Sequence, residues 1–227
     1  MRYAVAGLCV VLALAGCDEG PALSESRFNP IILPLQVDSV FIGDSWTQGY
    51  SATPEDHGYA YLTASAMGWS SHVYAAAGTG YTRGTDDGTI PAYAERIASL
   101  PETDAHIVIL QGSNNDLTTV DWRGFPDIAD RVIATTRTKY PAAAIVMFGP
   151  CDSSQPSKPE LRNLDTELSL AAKHNDLHYI SCYRERWITE GNRGEIIDPV
   201  TYHPSTEGHA YLAKRLTADL RAITSSE

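Results

Sequence analysis

Positive charge is scarce in this sequence. Its 227 residues carry 17 Lys and Arg against 28 Asp and Glu, a formal net charge of −11 at pH 7. A nucleic-acid binder needs clustered cations to neutralise phosphates, so that class is excluded. Cysteine is scarce too, with four residues and no C-x-x-C or paired histidine spacing beside them, which removes the usual zinc frameworks. The glycines make no G-x-G-x-x-G. Gly78-Thr79-Gly80 lacks both the third glycine of a dinucleotide site and the basic residue of a phosphate loop. There are no internal repeats, no low-complexity tract and, past the amino-terminal segment, no apolar run of membrane length.

What is present suits one domain with a sizeable core: 43% of residues are hydrophobic and 20% charged. The first residues read as an export leader, with Arg2 as the positive end and Tyr3 to Leu14 as an apolar stretch too short to span a bilayer comfortably. Leu14-Ala15-Gly16-Cys17 resembles the lipobox of bacterial lipoproteins, which implies cleavage after residue 16, a lipid on Cys17 and a place on the outer side of a bacterial membrane. Residues 17–34, rich in Gly, Pro, Ser and acids, then read as a tether, and 35–227 as the domain. Cys9 belongs to the leader, so Cys151 and Cys182 remain. Each follows an apolar run, which puts them at the same ends of two strands that neighbour each other if the runs pair, and an exported chain permits a disulfide there.

Short apolar runs alternate with longer amphipathic stretches, the pattern of a parallel sheet with crossover helices. Strands are expected at Val37–Ile42, Ser71–Ala76, His106–Leu110, Ala144–Phe148 and Leu177–Ser181. Helices are expected at Tyr59–Met67, at Ile90–Leu100 with Pro91 in the first turn, at Phe125–Tyr140, and at Glu160–Lys173 with leucines 161, 164, 168 and 170 inward. A last helix begins near Pro204, with Leu212, Leu216, Leu220 and Ile223 on one stripe. Tyr183 to Val200 is long, polar and without periodicity, as functional loops often are.

The stretch that organises the rest is Phe41-Ile42-Gly43-Asp44-Ser45, where an apolar strand ends in a glycine, an acid and a serine. A serine at such a turn faces a cleft and can act as a nucleophile, although a serine after Asp also serves as a simple helix cap. It is not the G-x-S-x-G elbow of the α/β-hydrolases, since Thr47 stands in the last position. Gly78, then Gly112-Ser113-Asn114, then His203-Pro204 follow, each at the end of an expected strand or just before the last helix. Together with Gly43-Asp44-Ser45 these four ordered blocks resemble those of the SGNH, or GDSL-type, hydrolase superfamily.

That resemblance implies a flavodoxin-like α/β/α sandwich around a central parallel sheet of about five strands, and an esterase without a metal or other cofactor. Ser45 is then the nucleophile and His203 the base, with the oxyanion held by the amides of Ser45 and Gly78 and the side chain of Asn114. Gly80 and Asn115 are the neighbouring alternatives, set aside on family spacing. Two departures stand out. The family commonly reads D-x-x-H, but Val200 occupies that acidic position and Asp198 lies five residues before His203. Either Asp198 still reaches the imidazole or a backbone carbonyl near Val200 orients it. The acid that usually follows the oxyanion Asn is displaced to Asp116. Trp46, Tyr50, Tyr81, Trp122 and Trp187 are candidates to line the substrate site. The expected partner is a small acyl ester or acylated carbohydrate. No nucleic acid is expected, membrane contact runs through the lipid alone, and the chain is expected to be a monomer. An acyltransferase acting on a cell-envelope glycan and a non-catalytic surface binding module are the competing functions.

Overall fold

The structure is a computed structural model and describes residues 29–112, 114–118, 121–153 and 158–226. The expected leader at 1–16, Cys17 and the tether up to residue 28 lie outside the described residues. In chain order the elements are β1 (Ile31–Leu33), β2 (Asp38–Gly43), α1 (Ser45–Gln48), α2 (Tyr59–Met67), β3 (Ser70–Ala75), α3 (Tyr93–Ser99), β4 (Ile107–Gln111), α4 (Phe125–Lys139), β5 (Ala144–Phe148), α5 (Pro159–His174), β6 (His178–Ile180), α6 (Arg193–Ile196), α7 (Thr206–Ile223) and β7 (Thr224–Ser226).

Five strands make one parallel sheet in the order β3-β2-β4-β5-β6. Period-two alternation decides which residues face which layer of helices. Phe41, Ile107, Ile109, Val146 and Phe148 pack with Tyr59, Ala60, Leu212 and Leu216, that is, against α2 and α7. Val40, Ile42, Val108, Leu110 and Met147 pack with Tyr93, Ile97, Phe125, Val132, Leu164 and Leu168, against α3, α4 and α5. The result is the three-layer α/β/α sandwich that the family resemblance implies, built on the parallel sheet that the alternation of runs implies.

Strand β2 lies between β3 and β4, so the connections leaving β2 and β3 run to opposite sides of it. At that reversal the loops beyond the carboxyl ends of β2 and β4 diverge and leave a crevice, the usual ligand position in open α/β sheets. Ser45 follows β2, and Asn114 opens the short 3-10 turn Asn114–Thr118 that follows β4.

Three expectations are corrected. Residues up to 34 are not all tether: Ile31–Leu33 pairs in parallel with Thr224–Ser226 as a two-stranded sheet, and Leu33 is buried in the core. The prolines at 30 and 34 make that run look like a linker, and its partner lies at the far end of the sequence, beyond the reach of any local pattern. The third helix starts at Tyr93 rather than Ile90, because the Ile90 carbonyl accepts the Thr85 N–H (2.8 Å) to close the preceding loop. Leu170 is 54% exposed. The buried residues of α5 include 161, 164, 168, 171 and 172, and two residues past Leu168 is a rotation of roughly 200° about the helix. Cys151 and Cys182, beyond the ends of the adjacent strands β5 and β6, form a disulfide with Cα atoms 5.0 Å apart.

Candidate active site

Asp44 and Ser45 turn the chain from β2 into α1. The Asp44 side chain caps α1 by accepting the Trp46 N–H (2.9 Å), and Gly49 closes it in the left-handed conformation. Gln111, the one polar residue of β4, reaches across from the neighbouring strand. Its Oε1 accepts from the Asp44 N–H (3.2 Å) and the Thr47 hydroxyl (3.1 Å), and its Nε2 donates to the Gly112 carbonyl (2.6 Å). Thr47 also bonds the buried Tyr59 hydroxyl (2.7 Å). A Cβ on Gly43 would stand 1.9 Å from Thr47 Oγ1 and 2.6 Å from Gln111 Oε1, so the strand can end here only in glycine. From the opposite face the buried Arg96 donates to the Gly43 carbonyl (2.8 Å) and lies over the Tyr93 ring. Burial works against the Arg96 charge, and Tyr93 and Asp44 partly offset that.

Ser45 and His203, 158 positions apart in sequence, meet across the crevice with Ser45 Oγ 2.8 Å from His203 Nε2. The other ring nitrogen, Nδ1, lies 2.7 Å from the Thr201 carbonyl oxygen. A carbonyl only accepts, so Nδ1 carries the proton and Nε2 presents its lone pair to the serine hydroxyl. That is the tautomer a general base requires.

Asp198 does not touch the ring. Its Oδ1 accepts from the Val200 N–H (2.9 Å), the Thr201 N–H (2.8 Å) and the Thr201 hydroxyl (3.1 Å), and these bonds, the Thr201 amide foremost, hold its carboxyl below the ordinary aspartate value. The expectation that Asp198 orients His203 directly is therefore corrected in favour of the carbonyl alternative, with Thr201 as the residue. The physical reason is the spacing: a carboxylate five residues upstream folds onto the amides of its own turn before it can reach the imidazole.

The glycine and asparagine expected to complete the site sit on two loops, the first stitched to the serine turn and the second to the first. Gln48 Oε1 accepts the Ala77 N–H (3.1 Å), and Asn115 Nδ2 donates to the Thr79 carbonyl (2.9 Å). Gly78 has φ +77°, open only to glycine at little cost. The amides of Ser45 and Gly78 have no acceptor among the described residues, whereas the Gly80 amide is committed to the Arg83 carbonyl (2.9 Å). Asn114 Nδ2 donates one hydrogen to the Cys151 carbonyl (3.0 Å), and its second has no partner among the described residues. Asp116 is buried and bonds the Tyr81 N–H (2.9 Å), the Thr82 N–H (2.8 Å) and the Thr82 hydroxyl (2.6 Å), tying the glycine loop to the asparagine turn. Burial pushes its carboxyl up, partly offset by those bonds.

Of the five aromatic candidates, Trp46, Tyr81 and Trp187 are buried in the core and Trp122 packs on Phe125. Tyr50 alone is exposed, and its ring lies 4.7 Å from that of His203. Sequence reasoning missed His209, which is fully buried behind the site. Its Nδ1 accepts the Tyr59 N–H (3.2 Å) and its Nε2 donates to the Tyr50 carbonyl (3.1 Å). Burial pushes its pKa down to about 4. The available signal was its place on the apolar stripe of α7, one turn before Leu212. For Gln111 the signal was an amide closing an otherwise apolar strand. No group of three or more His, Cys, Asp or Glu among the described residues is placed to hold a metal ion.

No curated protein matches this sequence. Among solved structures the chain is similar to a carbohydrate esterase family 2 enzyme with a carbohydrate-binding domain from Corynascus thermopiles (Myceliophthora fergusii), at 19% identity and TM-score 0.66 over 84% of this chain and 67% of that one. It is also similar to a carbohydrate acetylesterase from Sinorhizobium meliloti, at 13% identity and TM-score 0.62 over 82% and 99%. A third similar structure is the salicylyl-acyltransferase SsfX3 from a tetracycline biosynthetic pathway, at 21% identity and TM-score 0.62 over 82% of this chain but only 55% of that one. These likenesses show the fold. Residues 41–211, which run from the strand before Ser45 past His203, match the profile of the GDSL-like lipase/acylhydrolase family, and the chain belongs to that family.

Proposed function

We propose that the protein hydrolyses acyl esters through an acyl-enzyme formed on Ser45. The observation that carries this reading is the paired contact of His203, with Nε2 on the serine hydroxyl and Nδ1 on the Thr201 carbonyl. His203 takes the Ser45 proton as Oγ attacks the ester carbonyl carbon, and the proton then passes to the leaving alcohol. The negative charge that develops on the carbonyl oxygen is met by the amides of Ser45 and Gly78 and by the second Asn114 N–H. Losing one such donor typically costs about 3 kcal/mol of transition-state stabilisation. Water, activated by the same imidazole, then releases the acid. The apparatus is a dyad with a carbonyl third member, so no carboxylate is hydrogen-bonded to the ring, and Asp198 meets its charge only through space.

The substrate we assign is a short acyl group, such as acetyl, on a carbohydrate. The carbohydrate esterases among the similar structures support that assignment, and the leader with Cys17 supports action outside the cell on a lipid anchor. Ser45→Ala should lower turnover of a short-chain aryl ester by at least about a thousandfold and abolish labelling by a fluorophosphonate. An unchanged rate, or undiminished labelling, would refute Ser45 as the nucleophile. Mass spectrometry of the membrane fraction tests the lipid on Cys17.

A further inference from the structure

In acyl transfer the two halves of an ester lie on different sides of the nucleophile. The carbonyl oxygen points to the oxyanion donors, here the side of Gly78 and Asn114, and the alcohol oxygen must lie within reach of the imidazole that protonates it. An exposed side chain beside His203 therefore meets the alcohol. Tyr50 is that neighbour, its ring 4.7 Å from the imidazole and tilted 55° to it.

Tyr50 is 46% exposed, unlike Trp46 and Tyr59 close by, which are buried. Its position is not an accident of a loose loop. Its N–H donates to the Ser45 carbonyl (2.9 Å), and its own carbonyl accepts from the buried His209 (3.1 Å). The next residue, Ser51, has φ +74°, and its hydroxyl bonds that of Thr201 (2.8 Å), the residue whose carbonyl orients His203. Six large hydrophobic side chains are exposed among the described residues, and three of them, Tyr50, Val200 (83%) and Tyr202 (65%), belong to these two joined segments. Tyr202 also has φ +59°, a conformation disfavoured for a bulky residue.

We propose that Tyr50 is the wall of a subsite for the alcohol half of the ester, and that the alcohol it takes is a neutral pyranose ring. This rests on the Ser45–His203 reading above. A half-exposed aromatic face suits a sugar, which stacks its C–H face on the ring and keeps its hydroxyls in water, whereas an alkyl alcohol needs an enclosed apolar groove. The net charge of −11 disfavours a polyanionic glycan. An acceptor sugar in a transfer reaction would occupy the same place, since it attacks the acyl-enzyme from where the alcohol left.

The test compares kcat/KM on an O-acetylated pyranoside oligosaccharide, ethyl acetate and octyl acetate. Tyr50→Ala should lower the ratio of oligosaccharide to ethyl acetate about tenfold, mostly through KM, and Tyr50→Trp and Tyr50→Phe should preserve it. Equal losses on the two esters would mean that Tyr50 only buttresses His203, and would overturn the proposal. So would an unchanged oligosaccharide rate, or a larger loss on octyl acetate. In a Ser45→Ala background, calorimetric binding of the same oligosaccharide should weaken about tenfold when Tyr50 is also replaced by Ala, and binding indifferent to Tyr50 would overturn the proposal. If the native protein turns over none of the esters while Ser45→Ala binds the oligosaccharide through Tyr50, the hydrolase reading falls and the subsite stands.

Discussion

The turn that carries Ser45 is held from outside, by Gln111 on the next strand, Arg96 on α3 and Tyr59 on α2, all of them buried. The loop that carries His203 is held mostly by its own bonds, with one tie from outside, the Ser51 hydroxyl on that of Thr201 (2.8 Å). Asp198 bonds two amides and a hydroxyl within three residues, the Asp198 N–H donates to the His203 carbonyl (2.9 Å), and a single antiparallel bridge, Ile197 to Pro204, closes the base. The nucleophile thus inherits its position from the packed sheet, where a displacement costs core contacts. The base depends on a few exposed or part-buried hydrogen bonds, each worth little alone. Damage to the first region should therefore appear in stability and activity together, and damage to the second in activity alone.

Gly43→Ala should break the first region most. The added methyl has no room beside Thr47 and Gln111, so a destabilisation of about 3 kcal/mol by denaturant melts and a loss of turnover greater than a hundredfold are expected. Ordinary stability with full activity would show the serine turn to be more yielding than its contacts imply.

His209, on α7 just past the His203 loop, ties that helix to the serine side through Tyr59 and Tyr50, and pH reads it. Its pKa is pushed down to about 4 from 6.5, so the folded state resists the proton that the unfolded chain accepts. Its contribution is complete above pH 6.5 and is lost as pH falls towards 4, on the order of 3 kcal/mol in all. Asp219 acts in the opposite sense. Burial, with Glu185 nearby, pushes its carboxyl up from 3.8 to about 6, so its contribution is complete at low pH and fades as pH rises through that window. His209→Gln can still accept from Tyr59 and donate to Tyr50, and it does not titrate. Against the native protein it should flatten the acid limb of stability between pH 6.5 and 4 and leave neutral stability little changed. Parallel curves for the two proteins would refute the assignment.

The smallest effect isolates the second region. Asp198→Asn keeps the Oδ1 acceptor and should hold kcat within about threefold, whereas a catalytic carboxylate would cost about ten-thousandfold. Asp198→Ala removes three bonds from the turn that presents the Thr201 carbonyl and should lower kcat about tenfold with an unchanged melting temperature. A collapse in the Asn variant would restore Asp198 to a direct role.

The same contrast separates what could be read in the sequence from what could not. The strand before Ser45 and the helix after His203 show their hydrophobic periods plainly, and α2, Tyr59–Met67, has the bounds its pattern implies. The segment between β6 and α7 has no period, so neither the short α6 nor the turn at Asp198 could be foreseen. Trp187 misled for a related reason: it lies in an irregular polar stretch yet is fully buried, packed on Phe148 in the core. Composition marks aromatic residues in loops but not the direction they face.

By itself the sequence determined the alternation of strands and helices, and with it a parallel sheet whose carboxyl edge gathers the serine, glycine and asparagine loops. It did so because burial on both faces of a strand and one face of a helix imposes local periods that the residues cannot hide. Only the tertiary structure decided that Thr201, not Asp198, stands behind His203, that Ile31–Leu33 joins the end of the chain, and that Tyr50 is left uncovered beside the imidazole. Those outcomes depend on where loops with no period come to rest against partners far away in the chain, and hydrogen bonds between such distant groups leave no mark on the order of residues.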